Sequence, residues 1–364
     1  MRILHLEASP GWGGQEMRIL SEAEGMRKRG HEVFFAVMNG ALLGKEALAK
    51  GFVVYECNFR KIAWGLTLFH LLKWLFKHKI DLVNTHSSLD AWIGGIAGRI
   101  AGKKVLRTRH LSTPVKPGWN SRFVYGTLAD FVVTTCASII APISKQSGKP
   151  LSQFRSIATG INADRVQATE ESSAQFRKQL GLDSSHFLVG TACFMRSWKG
   201  IDDFLQAADA LRHIPDLHWV VIGGGHADRY RSFAKELKLD GIVHFTGHLQ
   251  NPFPALKALD AFALLSTAHE GVSQAILQAA FLNKPLIATN TGGLGEVCIH
   301  EFTGLSVPPF SPTEVAASVL RLKSNASLCS QLGSSARQLV LNEFTFQHTL
   351  DGMEEIYRKL LFQK

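Results

Sequence analysis

The chain has 364 residues, of which 46% are hydrophobic and 19% charged, with 40 Lys and Arg residues against 30 Asp and Glu residues. This length leaves room for two domains with separate cores, and this composition excludes a disordered chain. No apolar run approaches the ~18 residues of a membrane span, and the N-terminal sequence MRILHLEASPGWGG has the pattern of a first β-strand rather than of a signal peptide.

Short apolar segments alternate with helical patterns along the whole chain. The predicted strands are Arg2–Leu6, Glu32–Val37, Leu82–Thr85, Lys104–Arg107, Phe131–Thr134, Phe187–Thr191, Trp219–Ile222, Ile242–Phe245, Ala261–Leu265, Pro285–Ala288 and Gly304–Val307. The clearest helical patterns are Gln15–Arg29, Ala91–Ala101, Ile201–Leu211, Gln274–Leu282, Pro312–Leu322 and Phe344–Leu361. Such alternation, with strands that are apolar throughout, predicts an α/β protein built on doubly wound parallel sheets.

The strand–helix pattern restarts once, after a polar stretch at residues 160–185. We therefore expect two Rossmann-like domains, residues 1–165 and residues 166–343. The C-terminal helix, within residues 344–364, should pack back on the first domain. The two domains should face a cleft, with ligands bound at the carboxyl ends of the strands.

The positive charge is confined to the first half of the chain. Residues 1–165 hold 23 basic and 11 acidic residues, whereas residues 166–364 hold 17 and 19. A field of one sign favours an anionic partner for the first half, such as a phosphorylated substrate, an acidic membrane surface or nucleic acid. A solvated surface without such a partner is the alternative.

The five cysteines are scattered, odd in number and never spaced as CxxC. They are Cys57, Cys136, Cys193, Cys298 and Cys329. This pattern argues against a disulfide framework and against a structural zinc site, and it favours small core residues in a reducing compartment.

Two glycine-rich turns follow predicted strands. Gly11, Gly13 and Gly14 come after the first strand, and the segment 223–225 is three consecutive glycines. Such turns let the backbone approach a ligand closely, although a plain tight turn is an alternative for the first. Neither turn matches GxGxxG, so the sequence does not indicate a dinucleotide site.

Charged side chains cluster in the strand-to-helix loops of the second half. Arg196 and Lys199 follow the strand at 187–191, where two cations suit a diphosphate. Glu270 follows the strand at 261–265, where a carboxylate can accept hydrogen bonds from sugar hydroxyls, and Gln278 lies two helical turns further on.

The order of these motifs resembles glycosyltransferase family 4 over nearly the whole chain, most specifically in the second half. The segments that carry the resemblance are the GGxE pattern at 13–16, RSWKG at 196–200, GGG at 223–225, Glu270-Gly271 and GGLGE at 292–296. The segments NTHSS at 84–88 and RTRH at 107–110 also resemble a bacterial lipopolysaccharide and cell-envelope subgroup. The resemblance implies the GT-B fold and transfer of a sugar from a nucleotide-sugar donor with retention of configuration.

The resemblance also implies roles for individual residues. Arg196 and Lys199 would bind the donor diphosphate, Glu270 would hold hydroxyls of the donor sugar, and His110 would lie near the transferred sugar. The remaining predicted ligand-binding residues are Gly13, Gly14, Gly223, Gly271, Val272, Ser273 and Gln278. Two positions depart from the family pattern: Gln278 replaces a second glutamate that usually contacts the ribose, and Phe194 stands where a basic residue is usual.

The expected function is therefore that of a retaining glycosyltransferase acting on an anionic lipid-linked or lipopolysaccharide acceptor at the cytoplasmic membrane face. No carboxylate pair of the DxD type stands in a predicted cleft loop, so we expect no metal cofactor. The amphipathic segment Ile62–Lys79 would contact the anionic membrane, unless it is a core helix of the first domain. A non-catalytic sugar-nucleotide or phosphoglycan binding protein is the alternative, and no nucleic-acid recognition module is present.

Overall fold

The computed structural model describes residues 1–362 and divides the chain into two compact units. Unit 1 comprises Met1–Thr159 together with the C-terminal segment from Gln347, and unit 2 comprises Gly160–Phe346. The boundaries expected from the sequence, at 165 and 343, lie several residues away from these. The reason is local: Ile161 N–H donates to the Phe344 carbonyl at 2.7 Å, and Phe346 N–H donates to the Ile161 carbonyl at 2.8 Å, which ties both connecting segments into unit 2.

Unit 1 is built on a seven-stranded parallel sheet in the order β3-β2-β1-β4-β5-β6-β7. The strands are β1 Arg2–Glu7, β2 Glu32–Met38, β3 Val53–Cys57, β4 Leu82–Thr85, β5 Lys104–Arg109, β6 Phe131–Thr134 and β7 Phe154–Ser156. The helices between them are α1 Gly14–Lys28, α2 Leu42–Ala49, α3 Trp64–Lys77, α4 Ser88–Ile100, α5 Trp119–Ser121 and α6 Ile140–Ser147, with a π-helix at Arg122–Leu128.

Unit 2 is built on a six-stranded parallel sheet in the order β10-β9-β8-β11-β12-β13. The strands are β8 Phe187–Ala192, β9 Leu217–Ile222, β10 Val243–Gly247, β11 Ala261–Leu264, β12 Leu286–Thr289 and β13 Gly304–Val307. The helices are α7 Glu170–Gln179, α8 Ile201–Ala210, α9 Ala227–Glu236, α10 Phe253–Ala258, α11 Gln274–Phe281, α12 Pro312–Lys323 and α13 Ala326–Glu343.

The last helix, α14 (Phe346–Phe362), packs on unit 1 as expected. Its fully buried Tyr357 hydroxyl donates to Glu22 on α1 at 2.5 Å and accepts a hydrogen bond from the Asn84 amide of β4 at 3.1 Å. Both sheets are parallel and doubly wound, which confirms the predicted fold class.

The two strands that sequence patterning missed, β3 and β7, are the two edges of the unit 1 sheet. An edge strand is covered on fewer sides, so its apolar pattern is weaker. In β3 only Cys57 is buried, and β7 has three residues with only Phe154 buried. The interior strands, which are buried along most of their length, were predicted within one or two residues.

Helix α3 has one buried face and one exposed apolar face. Thr67, Leu71 and Leu75 are buried, whereas the side chains of Leu66, Phe69 and Phe76 are exposed. The helix therefore serves the core of unit 1 and also presents hydrophobic side chains on its outer surface. None of the helices within residues 1–362 is both long and apolar enough to cross a membrane.

The cysteines are thiols rather than disulfides. None of the five forms a disulfide within the described residues, and Cys57, Cys136 and Cys298 are buried. Burial raises the pKa of Cys57 and of Cys298 to about 12, which makes these thiols poor nucleophiles.

Candidate functional site

The two cations predicted in unit 2 stand on the loop between β8 and α8. This loop is pressed against the end of β11: a Cβ atom on Gly200, which has φ +67°, would lie only 2.0 Å from the Leu265 carbonyl oxygen. Thr267 N–H also donates to the Trp198 carbonyl at 2.8 Å. The loop that carries Lys199 is thereby held against the loop that carries Glu270.

Lys199 and Glu270 form a direct ion pair. The Lys199 ammonium and the Ser266 hydroxyl both donate to Glu270 Oε1, the latter at 2.7 Å. The Glu270 side chain is buried, and its backbone carbonyl accepts a hydrogen bond from Gly293 N–H at 3.1 Å. A buried carboxylate that is paired in this way has a fixed orientation. Both residues stand out in the sequence, but their contact does not, because 71 positions separate them.

Arg196 is exposed and lies between two aromatic rings. Its guanidinium carbon is 5.3 Å from the centre of the Phe194 ring and 5.1 Å from that of Trp198. No carboxylate of residues 1–362 forms a salt bridge with it. Phe194, the departure from the family pattern, therefore contacts the one cation of this loop that is left without a carboxylate.

The segment Gly271–Ser273 leads directly into α11. Val272 is buried and Gly271 and Ser273 are partly exposed, and Ser273 occupies the N-cap position without a side-chain capping bond. Gln278 lies one helical turn into α11 and is partly exposed, and its amide forms no hydrogen bond with any described residue. An uncommitted amide of this kind can bind two hydroxyl groups.

The contacts of Gly223 are all explained by the packing of neighbouring strand ends in unit 2. Its N–H donates to the Gly247 carbonyl at 3.0 Å, and a Cβ atom there would lie 2.0 Å from the Cys193 carbonyl oxygen. In unit 2 this glycine therefore joins the ends of β8, β9 and β10, and its backbone donor is already used.

Unit 1 holds a second cluster, a chain of three histidines that we call the imidazole chain. His5 Nδ1 lies 2.8 Å from His86 Nε2, and His86 Nδ1 lies 2.9 Å from His110 Nε2. The three residues stand on β1 and just after β4 and β5, which are neighbours in the sheet. From the sequence, His110 alone was assigned a role among these three histidines. The signal that could have found the chain is a histidine within, or directly after, each of three strands.

The two contacts link the tautomers of the three rings. Burial lowers the pKa of His5 to about 3 and also lowers the pKa of His86 and His110 well below the usual value, so all three rings are neutral near pH 7. Each neutral ring has one N–H and one acceptor nitrogen. His5 Nε2 is buried and has no partner among the described residues, which favours placing the N–H of His5 on Nδ1. His110 then accepts at Nε2 and presents its N–H at Nδ1, and His110 is partly exposed.

Two arginines reinforce this arrangement. Arg18 and Arg107 are both buried, and each has two guanidinium nitrogens with no hydrogen-bond partner among the described residues. Their positive charges further lower the pKa of both His86 and His110. The cluster is therefore electropositive without requiring charged imidazoles.

A carboxyl pair lies at the end of β1 and the start of α4. Burial, together with the nearby charge of Asp90, raises the pKa of Glu7 to about 8, and burial also raises the pKa of Asp90. Glu7 accepts a hydrogen bond from the Gln15 amide and one from Ser9 N–H at 2.7 Å. The glycine-rich turn of unit 1 is thus fixed to a carboxyl group that is protonated near neutral pH.

The glycines of that turn have different surroundings. Gly13 N–H donates to Glu16 at 2.8 Å, which satisfies its donor, and α1 begins at Gly14. Nothing lies within 4 Å of the position of a Cβ atom on Gly14, so there is open space beside it. Within residues 1–362, no group of three or more His, Cys, Asp or Glu side chains is arranged to hold a metal ion.

Comparison with protein families accounts for both units. The family described as Glycosyltransferase Family 4 matches residues 12–165, and that described as Glycosyl transferases group 1 matches residues 172–339. Two doubly wound parallel sheets with these matches define a glycosyltransferase of the GT-B fold. The chain belongs to glycosyltransferase family 4, which confirms the resemblance noted from its motifs.

Solved structures and sequence relatives agree with this assignment. A glycosyltransferase from Rickettsia africae has a TM-score of 0.90 at 21% identity, covering 100% of this chain and 99% of that one. An Anabaena protein solved in complex with UDP has a TM-score of 0.87 at 20% identity, covering 99% of this chain and 100% of that one. An Escherichia coli UDP-Gal:alpha-D-GlcNAc-diphosphoundecaprenol alpha-1,3-galactosyltransferase is 24% identical over 82% of this chain and 80% of its own length.

One further match is partial. An alpha-D-kanosaminyltransferase of Streptomyces kanamyceticus is 26% identical over 53% of this chain, and the match spans half of its own length.

Proposed function

We propose that this protein transfers a sugar from a nucleotide-sugar donor, with retention of configuration, to an anionic lipid-linked or lipopolysaccharide acceptor. The observation that carries the donor half of this proposal is the Lys199–Glu270 pair beside the unpaired cation Arg196. The structural similarity to a protein solved with UDP supports a nucleotide donor. The similarity to a galactosyltransferase named for a diphosphoundecaprenol acceptor supports a lipid-linked acceptor.

Each donor group has a matching side chain in this proposal. Arg196 binds the diphosphate through its guanidinium, while Lys199 neutralises the charge that develops on the leaving phosphate. Glu270, held by Lys199 and Ser266, accepts hydrogen bonds from sugar hydroxyls. Gln278 contacts the ribose hydroxyls in place of a carboxylate.

The backbone of residues 271–273 faces the sugar and the phosphate in this scheme. Gly13 and Gly14 approach the diphosphate and the acceptor.

His110 acts on the transferred sugar in this proposal. With His5 and His86 as positioning residues, it donates a hydrogen bond from Nδ1 to a sugar hydroxyl and stays neutral while doing so. The bond between the anomeric carbon and the phosphate oxygen breaks, and the acceptor oxygen forms its bond on the same face. The proton of the acceptor hydroxyl passes to the departing phosphate oxygen, so no side chain needs to act as the base.

We further propose that transfer needs no metal ion, because Arg196 and Lys199 supply the positive charge that the diphosphate requires. Transfer that is unchanged by EDTA and by added Mg²⁺ is the expected result. A strict requirement for a divalent cation would contradict this part of the proposal.

We place the protein at the inner face of the cytoplasmic membrane, as a peripheral protein. The support is the exposed apolar face of α3 together with the exposed lysines at its ends and sides, Lys61, Lys73 and Lys77. Apolar side chains among lysines match an anionic lipid surface. Flotation with vesicles containing phosphatidylglycerol should be lost in Leu66→Ser/Phe69→Ser, whereas vesicles of phosphatidylcholine alone should not bind the native protein.

The experiment that tests transfer measures the nucleoside diphosphate released from UDP-, GDP- and ADP-sugars, with and without lipid-linked saccharide acceptors. We expect acceptor-dependent release from one nucleotide class, slowed by about 10²–10³-fold in Lys199→Ala. Donor binding without any release, in the presence of acceptors, would instead favour a non-catalytic sugar-nucleotide binding protein, the second candidate suggested by Gln278.

A further inference from the structure

A cavity of about 770 Å³ opens in unit 1, away from the residues discussed above. It lies between the loop that precedes α5, the first turn of the π-helix and helix α6. Its walls include Pro117, Trp119, Arg122, Pro142, Lys145 and Gln146. This volume falls in the range of small-molecule sites, ~300–1,000 Å³. π-Helical turns are rare in proteins, and those that occur are often found at functional sites.

Three chemical features converge on this cavity. Arg122 and Lys145 are exposed cations that form no salt bridge with any described residue. The Oε1 atom of Gln146 is buried and has no hydrogen-bond partner among the described residues. The ring of Trp119 is 70% exposed, which leaves a flat aromatic surface open to a ligand.

The aromatic surface is rigid because it is stacked from behind. The rings of Trp119 and Phe123 lie 5.2 Å apart with an angle of 12° between their planes, and Trp92 lies 5.1 Å from Phe123. The Ser121 hydroxyl donates to the Lys116 carbonyl at 2.5 Å, which closes the loop that carries Trp119. Rigid aromatic rings bind ligands at low entropic cost.

These features select one class of ligand. The two exposed cations favour an anionic group, and the unpartnered Gln146 Oε1 favours a group that carries an O–H or N–H donor. A phosphodiester or an acyl chain offers no donor, whereas a sugar offers several, together with a C–H face that can lie on an indole ring. We propose that this cavity is a binding site for a phosphorylated saccharide, the anionic portion of the glycan acceptor.

This inference rests on the proposed function for its biological meaning, but its test does not depend on catalysis. The probes are glucose 6-phosphate, glucose, methyl phosphate and phosphatidylglycerol vesicles, titrated against the full-length protein by calorimetry at pH 8, where methyl phosphate carries no O–H donor. Native protein should bind glucose 6-phosphate about tenfold more tightly than either glucose or methyl phosphate, because only the sugar phosphate combines an anionic group with O–H donors.

Variants assign the binding to this cavity. Arg122→Ala/Lys145→Ala should reduce the affinity for glucose 6-phosphate to that for glucose, and Gln146→Leu should reduce it to that for methyl phosphate. Lys28→Ala/Lys104→Ala is the matched control, since it removes two exposed charges of unit 1 that also form no salt bridge and do not line the cavity. This control should bind as the native protein does.

Three outcomes would overturn the inference: equal binding of glucose 6-phosphate and methyl phosphate, equal losses in the control and the cavity variants, or binding to vesicles only. A parallel thermal-shift measurement with UDP, GDP and ADP reports on the donor site in unit 2. A nucleotide shift without cavity binding overturns this inference alone, and cavity binding without a nucleotide shift counts against the proposed function alone.

Discussion

The polar clusters of unit 2 and unit 1 differ in the charge states of their side chains. In unit 2, Lys199 and Glu270 are both charged groups, joined as an ion pair on two loops, with Arg196 exposed beside them. In unit 1, burial keeps the imidazole chain neutral and Glu7 protonated near pH 7. Unit 2 thus presents fixed charges, which suit a diphosphate, whereas the imidazole chain of unit 1 presents neutral hydrogen-bonding groups, which suit hydroxyl groups.

The first prediction removes the fixed charge of unit 2 and has the largest expected effect. Lys199→Ala should lower kcat by about 10²–10³-fold, because a preorganised cation at the leaving phosphate is lost. Glu270→Ala should lower kcat by a similar factor, because it removes the acceptor for the sugar hydroxyls. Turnover of the nucleotide sugar is the measurement, with circular dichroism to confirm folding.

A double-mutant cycle sharpens this result. Because Lys199 and Glu270 form one pair, their substitutions should not act independently. The fold-loss of kcat in Lys199→Ala/Glu270→Gln should be much smaller than the product of the fold-losses in Lys199→Ala and in Glu270→Gln. Arg229→Ala is the control, since it removes another unit 2 arginine, whose exposed ion pair with Asp202 contributes little. Wild-type turnover in Lys199→Ala/Glu270→Ala would refute the site.

The second prediction breaks the imidazole chain of unit 1. His110→Ala should lower kcat by about 10²-fold, and His86→Phe by about tenfold with the KM for the donor little changed, because His86 positions His110 without contacting substrate. In ¹⁵N spectra, native His110 should carry its proton on Nδ1 from pH 6 to 8, and His86→Phe should give a mixture of tautomers.

The exposed His70 serves as the control, since His70→Ala should change neither kcat nor the spectrum of His110. A native His110 with its proton on Nε2 would contradict the direction of hydrogen bonding assigned to the chain.

The third prediction concerns the stability of unit 1 against pH. The pKa of Glu7 is raised from 4.5 in a free side chain to about 8, so the folded state binds the extra proton and the unfolded state does not. Its contribution to stability is full below about pH 4.5 and is lost as pH rises through 8, with a slope of up to about 1.4 kcal/mol per pH unit. Glu7→Gln should therefore melt at a higher temperature relative to the native protein as pH rises from 6 to 9.

Glu32→Gln is a suitable control, because Glu32 is an exposed glutamate on the same sheet. Parallel melting curves of native protein and Glu7→Gln across this pH range would show that Glu7 is not protonated in the folded state.

The fourth prediction has the smallest effect and restores a charge to unit 2. Gln278→Glu should tighten nucleotide binding about fivefold, since a hydrogen bond from a ribose hydroxyl to a carboxylate is stronger than one to an amide. Gln278→Leu should weaken binding by a similar factor. Calorimetry with UDP, GDP and ADP is the measurement, and identical affinities for all three proteins would place Gln278 outside the donor site.

More of the unit 2 site than of the unit 1 cluster could be predicted from the sequence, for a physical reason. Arg196, Lys199 and Glu270 stand on loops after strongly apolar strands, where a polar residue stands out from its neighbours. His5 and Glu7 lie within β1, which is buried, and their significance depends on His86 and Asp90 about 80 positions away. The parallel pairing of β1 with β4 brings these residues together. Pairing between strands so far apart in the sequence cannot be predicted from a local sequence pattern.

The edge strands and the cavity illustrate the same limit. Val53–Cys57 and Phe154–Ser156 lack the continuous burial that makes interior strands conspicuous. The cavity at Trp119 depends on a π-helical turn that no residue pattern in the chain predicted.

The most direct test of the donor site is a thermal-shift titration of native protein and Lys199→Ala with UDP, GDP and ADP in the absence of metal. A nucleotide at a hundred times its Kd should stabilise the native protein by about 2.7 kcal/mol. We predict a clear rise in Tm with one nucleotide, and a much smaller rise for Lys199→Ala at the same concentration. No rise with any nucleotide, or an equal rise for both proteins, would contradict the assignment of Lys199 and Glu270 to a nucleotide-sugar site.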